Sequence, residues 1–162
     1  MTAFAIQLGQ TLDALVQVGA RLRSSLEEDA ALFPMSEGSL AGAGSADLKA
    51  LDAFLQRFQQ TADQILRKLL PRLVAAADET SVAFVFRELL ERLDRLGAID
   101  GTDTWTALQQ LRNRLTHEYV MGLAERAQDL NTAWAMAPLL LDQIERAAAF
   151  ADKHNLRTRE KP

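Results

Sequence analysis

Four residues in one short stretch have the types and spacing to do chemistry together. Leu108 to Val120 reads LQQLRNRLTHEYV and holds Arg112, Asn113, His117 and Tyr119. His117 is one of 2 histidines in 162 residues, and Tyr119 is the 1 tyrosine. An imidazole titrates near neutrality and can move protons. A guanidinium presents a fork that matches phosphate oxygens. An amide beside them can orient the imidazole or a hydroxyl. Together these groups suit work on a phosphodiester. By residue type alone the pattern is weak, since a solvated or structural face accounts for a helical Arg-Asn-x-x-x-His more often than catalysis does.

The stretch has helical period, and a wheel places its side chains. With Leu111 at zero, Leu115 falls near about 40°, Leu108 about 60°, Tyr119 about 80° and Trp105 about 120°. These make the buried arc. Arg112, at about 100°, sits on its margin, while Asn113 at about 200° and His117 at about 240° point away. Arg112 and His117 therefore converge poorly on one straight helix. A two-fold dimer that brings two such helices together would solve that geometry. Tyr119 lies near the buried arc, at the helix end beside Gly122.

The elements that must hold this stretch read as helices throughout. Residues 2–31 repeat apolar side chains at helical spacing, from Ile6 and Leu8 through Leu22 and Leu26. Residues 33–46, FPMSEGSLAGAGSA, break the period and are expected to be a flexible connector. A second long helix is expected over 47–77, with Asp47 as N-cap and a kink or restart at Pro71. In it, Phe54 and Phe58 at i, i+4 read as core. A third helix, about 81–96, opens on the strand-like SVAFVF and ends at Gly97 in a left-handed position. Glu88 with Arg92, and Glu91 with Arg95, are spaced as exposed i, i+4 pairs.

A fourth helix, 104–121, capped by Thr102 or Asp103, carries the key stretch. A fifth, 123–153, contains Trp134 and Pro138, where a bend is expected. Trp105 and Trp134 read as core anchors rather than base-stacking platforms. His154, near the end of the last helix, reads as a helix C-terminal cation. The pattern predicts an all-α antiparallel up-and-down bundle of four to five helices. One domain is expected over 1–153, with a polar tail at 154–162.

Composition narrows the function. With 0 cysteines, disulfides, thiol catalysis and cysteine zinc sites are excluded. His117 and His154 lie too far apart in sequence to suggest a metal cluster, so no metal or cofactor is expected. No apolar run reaches the roughly 18 residues of a membrane span, and MTAFAIQLGQTLDA lacks the basic start of a signal peptide. A soluble, cytoplasmic protein without membrane association is expected. A net charge of -4 argues against broad nucleic-acid binding but permits one basic pocket.

The key stretch also resembles the signature of the HEPN superfamily, Arg, four to six residues, then His, often with Asn after the Arg. Its longer form, Arg-x4-His-x-Tyr, marks the HepT-like branch, and Arg112, Asn113, His117 and Tyr119 stand in those places. The lead-in LLERLDRLGAIDGTDTWTALQQLRNRLTHEY resembles that branch over about residues 88–121, whereas the 33–46 segment has no counterpart in it. The resemblance implies an all-α homodimer acting as a metal-independent ribonuclease. His117 would be the acid/base for attack by a ribose 2′-hydroxyl, Arg112 would hold the scissile phosphate, and Asn113 would support the pocket. Tyr119 would be the adenylylation target of a cognate minimal nucleotidyltransferase antitoxin. The implied partners are RNA (tRNA or mRNA), that antitoxin and a second copy of the chain. Two other readings stand beside it: a non-catalytic binding subunit of a nucleotidyltransferase, and a helical interaction protein whose motif is structural.

Overall fold

The computed structural model describes residues 2–116 and 122–158, and every described element is helical. Helix α1 spans Ala3–Glu28 and ends in a short 3-10 turn, Ala30–Leu32. Thr2 starts it, its hydroxyl accepting the Ala5 amide at 3.2 Å. Helix α2, Glu37–Ala41, is a single short turn. Helix α3, Ser45–Gln64, runs through a widened π turn, Ile65–Leu69, into α4, Leu70–Asp78. Helices α5, Phe86–Leu96, α6, Asp103–Leu115, and α7, Leu123–Lys153, complete the bundle. No described helix is long and apolar enough to cross a membrane.

Side-chain contacts fix the directions. Thr11 near the start of α1 meets Arg72 of α4, and Ser25 near its end meets Arg57 of α3. Helix α1 thus runs antiparallel to the α3–α4 rod. It also runs antiparallel to α7, since Gly9 lies against Thr158 and Gly19 against Leu141 and Ile144. Leu8, Leu15, Leu22, Phe54, Phe58, Leu69, Leu73, Leu93, Leu108 and Leu111 are sealed from solvent in one core. Each is worth roughly 1.5–3 kcal/mol of burial, which is why the apolar period of each helix decides which face turns inward.

The 33–46 connector is built rather than loose. Asn131 of α7 clasps Met35, accepting its amide at 2.7 Å and donating to its carbonyl at 2.8 Å. Phe33, before a cis Pro34, stacks on Trp134 with ring centroids 4.0 Å apart and meets Phe54 edge-on. Ser36 and Ser39 form a reciprocal capping box on α2, and Leu40 is buried. Serines and glycines that look like linker composition are here spent on a cap and a tight turn.

Other expectations shift by local physics. Gly44, not Asp47, is the N-cap of α3; Asp47 sits in its first turn, where a carboxylate favours the exposed amides. At Pro71 the expected restart is present, as α4 begins at Leu70 after the π turn. The widened turn lets the Leu70 amide bond Ile65 one residue further back, and the proline falls at the first positions of α4, where its missing N–H costs nothing. Helix α5 begins at Phe86 rather than 81, leaving residues 80–85 outside any helix, with Val85 extended as its N-cap. Gly97 does take a left-handed φ of 78°. The expected i, i+4 pairs are replaced: Arg92 crosses to Asp78 at 2.5 Å, and Glu91 pairs with Arg87. The described part of the 154–162 tail is docked, not frayed. Thr158 donates its amide to Ala5 at 3.3 Å, and a Cβ on Gly9 would stand 2.6 Å from the Thr158 carbonyl oxygen.

Candidate functional site

Helix α6 presents the motif as the wheel requires, as far as the described residues reach. Trp105, Leu108, Leu111 and Leu115 are buried, Arg112 is half-buried and Asn113 is exposed. The described helix spans Asp103–Leu115 with Thr116 as C-cap, and the remainder of the expected span, 117–121, lies outside the described residues. The Thr116 hydroxyl donates to the Arg112 carbonyl at 2.8 Å and closes the last turn. His117 and Tyr119, expected as acid/base and modification site, lie outside the described residues.

Arg112 is held across the bundle. Its Nε donates to Oδ1 of Asp63 at 2.6 Å, and its Nη1 donates to Oδ1 of Asn113 at 3.3 Å. Its side chain is 22% exposed, so it keeps one face in water. Asp63 is the residue before last in α3, directly ahead of the π turn. A carboxylate on Nε leaves the Nη side of the fork for another anion. Asp63 is the partner of Arg112 that sequence reasoning misses. An acid on the polar face of a regular helix reads as solvated charge, and only its neighbour 49 residues away gives it a role.

The rest of this corner is also arginine and aspartate. Arg114 leans on Oδ1 of Asp129 at 3.4 Å, and Arg126 reaches Asp52 at 3.8 Å. Asp129 is buried, and its Oδ2 has no hydrogen-bond partner. Arg112 and Arg114 both fall in the last turn of α6, where cations also complement the helix dipole. No group of histidine and acidic side chains able to hold a metal occurs among the described residues.

The residues read as structural are so. Trp105 is buried, and the half-buried Trp134 is stacked on Phe33 and meets Phe54 edge-on, both as parts of the core. His154 is the C-cap of α7, its ring centroid 4.5 Å from that of Phe150.

Compared with known proteins, the chain matches no family model, no curated protein and no solved structure. The class that the coordinates define is an all-α helical bundle with an arginine–aspartate-rich corner at the end of α6.

Proposed function

We propose that this protein is a HepT-like ribonuclease toxin, cutting RNA without a metal at a cleft formed by two copies of α6. The observation that carries the reading is Arg112, fixed at the edge of the bundle by Asp63 with part of its fork turned to solvent. A guanidinium held this way loses little freedom on meeting a phosphate.

In this reading, His117 removes the proton from a ribose 2′-hydroxyl. The oxygen attacks the adjacent phosphorus, the bond to the 5′-oxygen breaks, and the leaving oxygen takes a proton from the partner copy's imidazole or from water. The products are a 2′,3′-cyclic phosphate and a 5′-hydroxyl. Arg112 neutralises charge on the phosphate and Asn113 supports the arginine. Tyr119 is the point at which a nucleotidyltransferase antitoxin adenylylates the toxin and silences it.

A second reading draws on the same contact. Because Asp63 already balances the charge of Arg112, the motif is complete without phosphate, which suits a non-catalytic subunit that binds a nucleotidyltransferase.

The test is incubation of the purified protein with total RNA in a chelator, beside His117→Ala and Arg112→Ala, with the mass in solution measured in parallel. The ribonuclease reading expects a dimer whose cyclic-phosphate products disappear in both variants. No cleavage, or cleavage equal in His117→Ala, overturns it. Stable capture of a nucleotidyltransferase by the inactive protein would then select the second reading.

A further inference from the structure

Among the described residues, Arg72 is a half-buried arginine with no carboxylate contact. Its counterparts among the described residues face carboxylates: Arg92 has Asp78, Arg112 has Asp63, Arg146 has Asp100 and Arg157 has Asp152. Even Arg57, bonded to Ser25, lies in the field of Asp29. Among the described residues Arg72 makes one hydrogen bond, from Nη1 to the Thr11 hydroxyl, and that hydroxyl itself donates to the Gln7 carbonyl at 2.8 Å. Its other nitrogens meet no hydrogen-bond partner among the described residues, and none of them is sealed from solvent. A guanidinium taken partly out of water and left without a counter-charge is costly, and a bound anion relieves that cost.

The space beside it is shaped for more than an ion. Arg72 edges a half-open cavity of about 380 Å³ between the start of α1, α4 and segment 80–85. That falls within the range of about 300–1,000 Å³ usual for small-molecule sites. Phe4, Pro71, Val74 and Leu89 form an apolar floor, and Val82 and Phe84 stand over it. Val82 is 68% exposed and Phe84 36%, which is a large apolar surface to leave in water. Segment 80–85 lies outside any helix, and the Val82 N–H donates to the Thr80 hydroxyl at 3.2 Å in a local, exposed contact. The cavity therefore has one cation at its edge, a mainly apolar lining with Gln7, Thr80 and Ser81 as its neutral polar members, and no acidic residue.

We propose that this cavity binds a small monocarboxylic acid with an apolar body, its carboxylate on Arg72 and its hydrocarbon between Leu89 and Phe84. The carboxylate accepts from the free guanidinium N–H groups. The apolar body covers Val82 and Phe84, and segment 80–85 closes on it. This site shares no residue with the Arg112 contact and stands whether or not the ribonuclease reading does.

The test titrates the intact protein with octanoate, its methyl ester and octylammonium by calorimetry, with acetate as the headgroup alone. Saturable 1:1 binding of octanoate is expected, with the ester, the amine and acetate each at least about tenfold weaker, the usual weight of a charge-assisted contact or of a buried chain. Arg72→Gln should weaken octanoate by about tenfold or more. Ala83→Trp, which fills the cavity from an exposed backbone position and leaves Arg72 in place, should abolish binding while melting like the wild type. Absence of saturable octanoate binding overturns the proposal. So does equal binding of ester and acid, or octanoate affinity unchanged in Ala83→Trp.

Discussion

Removing the charge of Asp63 without removing its oxygen separates the two roles that the Arg112 contact can play. In Asp63→Asn, an amide oxygen can still accept from Arg112 Nε, where the carboxylate now does so at 2.6 Å. The orientation survives and the negative charge does not. A phosphate seated on the Nη side would lie on the order of 6 Å from that carboxylate, where two unit charges in a water-like medium repel by ~0.7 kcal/mol. With the carboxylate side chain 40% exposed, that high-dielectric figure is the appropriate one. Asp63→Asn should therefore bind RNA about threefold more tightly. Asp63→Ala gains the same relief but frees the guanidinium, so it should bind more weakly than Asp63→Asn. Its stability should fall by no more than ~1 kcal/mol, a shift of a few degrees at most. Fluorescence anisotropy of a labelled oligoribonucleotide in low salt reads the affinities, and thermal denaturation reads the stability. Equal affinity in wild type, Asp63→Asn and Arg112→Gln would refute the reasoning, because Arg112 would then touch no phosphate.

Two further outcomes follow from contacts outside that corner. Asn131→Ala removes both hydrogen bonds to the buried backbone of Met35, a loss of ~2 kcal/mol, and Tm should fall by about 4–8 °C; a change below about 1 °C would show that Phe33 and Trp134 hold the connector alone. Asp78 is held below its ordinary pKa chiefly by its hydrogen bonds to Arg92. Its folded form therefore gives up its proton more readily than the unfolded chain, and its stabilisation is complete above the unfolded pKa and lost as pH falls through the folded one. The Tm gap between wild type and Asp78→Asn should be constant near neutrality and shrink below about pH 4; a gap that persists as far as acid leaves both proteins folded would contradict the assignment.

What the sequence discloses depends on how far apart the partners are. The helices are legible because their apolar period is local: Leu108, Leu111 and Leu115 announce the buried face of α6 within eight residues. Gly97 is legible for the same reason, a turn chemistry written in one residue. The connector is not, because the group that orders it, Asn131, lies 96 residues away. Arg92 could be assigned to Glu88 by spacing, yet it reaches back 14 residues to Asp78, where a less exposed carboxylate waits. Local ion-pair rules give what an isolated helix would do, and packing against α4 supplies a better partner.

The same distinction bears on the two arginines that end α6. A helix dipole rewards a cation anywhere in the last turn, so it explains Arg112 and Arg114 alike. It does not explain their difference. Arg112 is anchored at 2.6 Å to a half-exposed acid on α3, while Arg114, more exposed, only leans at 3.4 Å on Asp129. The acid that is buried is the one poorly matched, with an oxygen left without a partner; the acid that is accessible is the one tightly held. Were stability alone being served, the shorter bond would belong with the deeper carboxylate, since an unpartnered buried oxygen costs more than an exposed one. The arrangement instead gives the shorter contact to Arg112, the less exposed of the two guanidiniums, which is the one the proposed reading sets against a phosphate.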